Sequence, residues 1–207
     1  MIVKVCGLRE PDNIRAVDAL EPDLVGFIFY QKSPRYVGES FEMPSGLRAR
    51  KVGVFVDAAV ELMAGKAGRY GLDYVQLHGS ESPRVVSELK ALGLKVIKAM
   101  NIASEADLEG CRGFEGLTDY FLFDTKCPGH GGSGSKFDWS VLGAYKGATP
   151  FLLSGGICPD DGPRVLGFEA EDFAGIDLNS RFELSPGVKD VAALGRFIPL
   201  VTGKKRT

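Results

Sequence analysis

Cys6, Asp124 and Asp177 each stand where a short apolar run ends, and the runs after residue 150 lead into Ser154-Gly155-Gly156 and Asn179-Ser180. A thiol and a carboxyl group can divide a proton transfer between a base and an acid, provided their environments push their pKa values apart. A free thiol titrates near ~8.5, so a helix dipole or a nearby cation is needed to make Cys6 a base at neutral pH. Asp124 needs the opposite treatment. To act as an acid it must be raised by roughly 3 units, about 4 kcal/mol, and the apolar groups beside it in sequence are Phe121 and Phe123. Each residue also has an ordinary reading: Cys6 as a small core residue and Asp124 as a carboxylate solvated at a rim. A second glycine-rich segment, Gly129-His130-Gly131-Gly132-Ser133-Gly134, follows Asp124 closely and could approach a ligand with its backbone.

The elements that must position these groups repeat. Apolar runs without helical spacing start near residues 2, 24, 51, 73, 94, 119, 150 and 173, most of them about 21 to 27 residues apart. Between them lie helical stretches, with Ile14, Val17 and Leu20 on one face of the first and Val85, Val86 and Leu89 on another. Weaker helical spacing runs from Phe41 to Leu47, and Ser104 can cap a short helix. The last helix, from Lys189 to Phe197, should be limited by Pro199. Strands buried on both faces and alternating with helices imply a parallel sheet, and eight such units fit a single (β/α)8 TIM barrel spanning 1–207. An open doubly wound sheet is the competing architecture. It would have fewer units at this length, and no G-x-G-x-x-G follows the first strand.

In such a barrel the C-terminal strand ends share one mouth, where the reactive side chains of the fold gather. Cys6, Phe29, Asp57, His78, Asp124, Ser154 and Asp177 fall at those ends. The segments after strands seven and eight supply the amides that bind phosphate in this fold, which points to Gly155, Gly156, Asn179 and Ser180.

The 207 residues are 44% hydrophobic with a net charge of −2, as expected for one globular domain without an electrostatic footprint for nucleic acid or anionic membrane. The basic Lys204-Lys205-Arg206 reads as a solvated tail. The start, Met1-Ile2-Val3-Lys4-Val5, is strand-like rather than a leader, and no run is long enough to span a bilayer. Four cysteines without a C-x-x-C pair suit reduced thiols in the cytoplasm, and two histidines make a structural metal site an improbable use of them. His78, Cys111, Cys127, His130 and Cys158 read as structural or loop residues. Monomer and homodimer both stay open.

Taken in order, Lys4-Val5-Cys6-Gly7, Gly26-Phe27-Ile28-Phe29, Ser33-Pro34-Arg35-Tyr36, Val75-Gln76-Leu77-His78-Gly79, Asp124-Thr125, Gly131-Gly132-Ser133-Gly134, Leu153-Ser154-Gly155-Gly156 and Pro186-Gly187 with Lys189-Asp190 form a series. That series resembles the phosphoribosylanthranilate isomerases over the whole chain. The resemblance implies an Amadori rearrangement of a phosphoribosyl substrate without a cofactor. It implies Asp124 as general acid, Cys6 as base, Arg35 at the anthranilate carboxylate, Asp177 near the ribose, and Gly131 and Gly132 in a closing loop. Where many relatives carry Ser-Ser-Gly-Val-Glu after the eighth strand, this chain reads Asn179-Ser180-Arg181-Phe182-Glu183, so Arg181 must accept the local backbone or add a charge to the phosphate site. Another phosphosugar barrel, such as an epimerase or a synthase, and a binding barrel without activity are the alternatives. An epimerase of that kind would want several histidines, and a synthase would want lysines at strand ends, whereas Lys4, Lys51, Lys95 and Lys98 lie within or at the start of strands.

Overall fold

The computed structural model describes residues 1–125 and 138–203. Eight parallel strands close into one barrel in sequence order: β1 (Ile2–Val5), β2 (Leu24–Ile28), β3 (Arg50–Phe55), β4 (Tyr74–Leu77), β5 (Lys95–Ile102), β6 (Tyr120–Thr125), β7 (Phe151–Ser154) and β8 (Phe173–Leu178). Closure comes from β1 pairing with β8, Lys4 opposite Asp177 and Val5 opposite Leu178. All eight strands and the single-barrel architecture expected from the repeat are present.

Alternation along the strands sorts the side chains into two cores. Inside the barrel lie Leu24, Val52, Tyr74, Ile97, Leu122 and Leu152, buried in one cluster. The intervening residues, such as Val3, Val5, Val25, Phe27, Val75 and Leu153, face outward into the core under the helices. The outer layer holds α1 (Pro11–Asp18), α2 (Val60–Tyr70), α3 (Pro83–Ala91), the short α4 (Gly162–Leu166) and α5 (Val191–Thr202). Tight 3₁₀ turns at Glu105–Phe114 and Trp139–Ala144 stand among them. Ser104 stands at the N-cap of the first of these, where the Asp107 carboxylate accepts from the Ser104 backbone N–H at 2.8 Å.

Two sequence expectations fail for identifiable reasons. No helix forms over 41–47, where Pro44 interrupts the run and Gly46 sits at φ +76°. Phe41 instead inserts its ring between Phe27, at 5.6 Å, and Tyr70, at 5.5 Å. The last helix runs through Pro199 to Thr202 because Ile198 and Val201 are buried against the barrel, and the chain turns only at Gly203, φ +69°. Packing outweighs the missing N–H there. Strand β5 runs to Ile102, where Met100, Asn101 and Ile102 pair with Phe123, Asp124 and Thr125. A two-stranded ribbon, β9 (Glu183–Ser185) with β10 (Val188–Lys189), follows β8 at the mouth.

Candidate active site

The strand period puts Lys4 and Cys6, Gln76 and His78, Leu122 and Asp124, and Leu152 and Ser154 on inward-facing positions, the later member of each pair nearer the mouth. There Cys6, Gln76, His78, Asp124 and Ser154 line a cavity of about 450 Å³. Eight residues expected from the sequence meet in its wall: Cys6, Arg35, Asp124, Gly155, Gly156, Asp177, Asn179 and Ser180. Gly131 and Gly132 lie outside the described residues, as do Cys127 and His130.

Asp124 is set by β6, with its side chain 20% exposed toward the cavity. Phe121 and Phe123 do not bury it. They project from the opposite face of β6, stack on each other at 5.8 Å and pack with Phe151 and Tyr145 beneath the outer layer. The expectation that these rings bury it therefore fails, because neighbours in a strand point to opposite faces. Its actual neighbour is His78, whose Nε2 stands 3.7 Å from Oδ2. His78, expected to be structural, lines the cavity, and Gln76 holds its Nδ1 at 2.8 Å. Asp57 also ends a strand but takes no part: its carboxylate accepts from the Ser80 N–H at 2.7 Å.

Cys6 is buried directly above Lys4 on the same face of β1. Burial pushes the thiol pKa up and Asp177 adds to the rise, while the Lys4 ammonium opposes both. Lys4 is fully buried and donates to Asp177 Oδ1 at 2.7 Å, and the Ser154 hydroxyl donates to Asp177 Oδ2 at 3.3 Å. Burial works against the Lys4 charge, yet Asp177 and Cys6 together hold its pKa above the ordinary lysine value. Lys4 was legible in the sequence as a lysine two residues before the thiol. Its partner, 173 residues away, was not. Lys4→Met leaves the Asp177 carboxylate buried without its cation, so we expect a loss of about 3 to 5 kcal/mol. A drop in melting temperature of roughly 10 °C, partly recovered in Lys4→Met/Asp177→Asn, is the corresponding measurement.

Glycines make room for the thiol. A Cβ at Gly26 would sit 2.7 Å from Cys6 Sγ, and one at Gly7 would meet Arg35 Cδ and Asn179 Oδ1 at 2.8 Å each, on a backbone already at φ +80°. Gly26→Ala should displace Sγ by a fraction of an ångström or more and lower kcat by about ten- to a hundredfold, a range set by the sensitivity of catalysis to misplacement. Steady-state rates beside thermal melts separate this loss from unfolding.

The far wall is formed by two glycines and a short turn. Gly155 and Gly156 have φ +95° and +70°, and a Cβ on Gly156 would meet nothing within 4 Å, so its backbone borders open space. Ser180 starts a short 3₁₀ turn to Phe182, and the exposed Arg181 on that turn also lines the cavity. Arg35 is half-buried at the rim, and its guanidinium is gripped by Glu183 through Nε at 2.8 Å and Nη2 at 2.7 Å. Glu183 and its second partner, Lys189, did not figure among the expected site residues, since nothing local marks a carboxylate whose partner is 148 positions distant. Among the described residues, no group of three or more His, Cys, Asp or Glu is arranged to hold a metal ion, and no helix is long and apolar enough to cross a membrane.

Comparison with known proteins gives the family. The family model described as N-(5'phosphoribosyl)anthranilate (PRA) isomerase matches residues 3–199. The N-(5'-phosphoribosyl)anthranilate isomerase of Parabacteroides distasonis is 53% identical over 203 residues, covering 96% of this chain and 92% of that protein. The crystal structure of phosphoribosyl anthranilate isomerase from Thermotoga maritima is 32% identical, with a TM-score of 0.82 over 99% of this chain and 100% of its own. A crystal structure of a phosphoribosyl anthranilate isomerase in complex with reduced 1-(o-carboxyphenylamino)-1-deoxyribulose 5-phosphate is 29% identical, with a TM-score of 0.80 over 99% and 100% of the two chains. Matched along nearly its whole length in both sequence and barrel, the chain belongs to the N-(5'-phosphoribosyl)anthranilate isomerase family.

Proposed function

We propose that the chain isomerises N-(5'-phosphoribosyl)anthranilate to 1-(2-carboxyphenylamino)-1-deoxyribulose 5-phosphate, the Amadori step of tryptophan biosynthesis, with Asp124 and Cys6 moving the protons. The observation that carries this reading is that a thiol on β1 and a carboxyl on β6 open into one cavity, whose walls also bear the paired glycines and Arg35.

The chemistry follows from those positions. Asp124 donates a proton to the ribose ring oxygen as the bond from that oxygen to C1 breaks, leaving a Schiff base between C1 and the anthranilate nitrogen. The cationic nitrogen acidifies the hydrogen on C2. Cys6, as thiolate, removes it and an enolamine results. Proton gain at C1 and loss from the C2 hydroxyl then give the ketone, so the reaction is balanced within the substrate. His78 stands beside Asp124 as a second titratable group through which a proton can reach the acid.

Binding divides between the ends of the substrate. Backbone amides at Gly155, Gly156 and Ser180 anchor the phosphate, with Asn179 beside them and Arg181 adding charge at the same wall. Arg35 takes the anthranilate carboxylate. Asp177 has its two oxygens turned to Lys4 and Ser154, and from that position it borders the ribose. Fixing both ends holds the ring oxygen and C2 in line with acid and base, which is where positioning is most effective.

The test is the loss of phosphoribosylanthranilate fluorescence on adding the purified protein. Turnover at ordinary enzymatic rates supports the assignment. A protein that is inert toward this substrate, yet is stabilised by phosphate ligands, would keep the barrel and lose the activity.

A further inference from the structure

Three segments of the barrel mouth converge on one carboxylate, that of Glu183. It is only 5% exposed and accepts from Arg35 Nε at 2.8 Å, Arg35 Nη2 at 2.7 Å, Lys189 Nζ at 2.8 Å and the Gly187 N–H at 3.1 Å. Lys189 is itself fully buried and donates onward to Asn179 Oδ1 at 2.8 Å and to the Asn179 carbonyl at 3.3 Å. The loop after β2, the turn after β8 and the β9–β10 ribbon are thereby tied together. Arg35 and Lys189 share this one carboxylate at the cavity rim, and burial lowers the Lys189 pKa while Glu183 opposes the drop. Burial opposes the Glu183 charge, but Arg35 and Lys189 hold its carboxyl below the ordinary range, so it is ionised at neutral pH.

The geometry at Arg35 is one-sided. Glu183 occupies the Nε and Nη2 edge, and among the described residues Nη1 has no hydrogen-bond partner. The stem of Arg35 is fixed too, since its Cδ packs so near Gly7 that a Cβ there would lie 2.8 Å away. A free arginine samples many rotamers and must be ordered by its ligand, whereas a planar fork held along one edge presents the other already aligned. Gly7 follows Cys6 directly, so the same contact places that fork against the segment that carries the base.

We propose that Glu183 is the positioning residue for Arg35, turning its Nη1 edge toward the cavity and so setting the preference for a substrate whose aromatic amine carries a carboxylate. This inference rests on Arg35 binding that carboxylate, as in the function proposed above. The ordinary reading of the same contacts is a staple that fastens the β9–β10 ribbon to the barrel. A staple would affect stability and every substrate alike.

The experiment compares kcat/KM for N-(5'-phosphoribosyl)anthranilate with that for N-(5'-phosphoribosyl)aniline, which lacks only the carboxylate, in wild type, Glu183→Gln, Glu183→Asp and Arg35→Met. Glu183→Gln is expected to lower the anthranilate-to-aniline ratio at least tenfold, through KM for the anthranilate substrate, while the aniline substrate changes less than threefold. Glu183→Asp keeps the buried charge but shortens its reach, and should lower the ratio severalfold. It decides the matter if the glutamine variant does not fold. Arg35→Met should abolish the preference. If it does so while neither Glu183 variant moves the ratio, or both variants depress the two substrates equally, Glu183 is a staple and the proposal is overturned with the Arg35 assignment intact. If Arg35→Met leaves the ratio unchanged, the Arg35 assignment itself fails and the proposal falls with it.

Discussion

Asp124→Asn is expected to lower kcat for phosphoribosylanthranilate by about 10² to 10⁴, the usual contribution of one positioned proton transfer and roughly 3 to 5 kcal/mol of barrel-held stabilisation of the transition state. The amide keeps the shape of the carboxyl and its place on β6, but it has no proton to give the ring oxygen. The fold should hardly notice. Asp124 is 20% exposed, and the His78 imidazole is 3.7 Å away, so no buried ion pair is broken. A melting temperature within a few degrees of wild type, beside a lost fluorescence decay, is the expected pair of results. A rate within tenfold of wild type would remove Asp124 from the acid role.

Cys6→Ala is the second large effect, again about 10² to 10⁴ in kcat, with the substrate still bound because the phosphate and carboxylate anchors proposed above lie elsewhere. The pH dependence carries the finer information. Burial raises the thiol pKa above the ordinary cysteine range, so the base form is scarce at neutral pH and grows as pH rises toward that pKa. If thiolate formation limits the rate, kcat should climb by about tenfold per pH unit between roughly 6 and 8, the behaviour of a single group below its pKa. Alkylation of Cys6 by iodoacetamide should follow the same pH profile and be blocked by a substrate analogue. A flat profile in wild type, or an Ala variant with near-normal turnover, would place the base elsewhere.

Lys4 is what would make such a thiol usable as the proposed base. Taken as a strand residue, it served only to argue against a lysine-dependent reaction. In the barrel it is a buried ammonium that favours the thiolate two residues on, and Asp177 and Ser154 complete its surroundings. The bridge between Lys4 and Asp177 thus joins stability and reactivity, which is why the Lys4→Met variant should both melt earlier and require higher pH.

The barrel was legible in the sequence because its signals are local and repeated. Apolar runs at a steady interval fix the number of strands, and strand geometry fixes which residues face inward and which end reaches the mouth. Cys6, Asp124, Ser154 and Asp177 could be assigned to one cavity on that ground alone, and the structure gathers them there. The same rule, applied strictly, would have turned Phe121 and Phe123 away from Asp124 and brought His78 in. What only the tertiary structure decided were the charge partners: Lys4 with Asp177, and Arg35 and Lys189 with Glu183. Ring closure and a ribbon beyond β8 set those contacts across separations of up to 173 residues. A local pattern records which face a residue takes, but the identity of the group that meets it there depends on how distant segments dock. The course of the chain through Pro199 has the same origin: propensity acts at one residue, whereas burial of Ile198 and Val201 draws on the whole barrel.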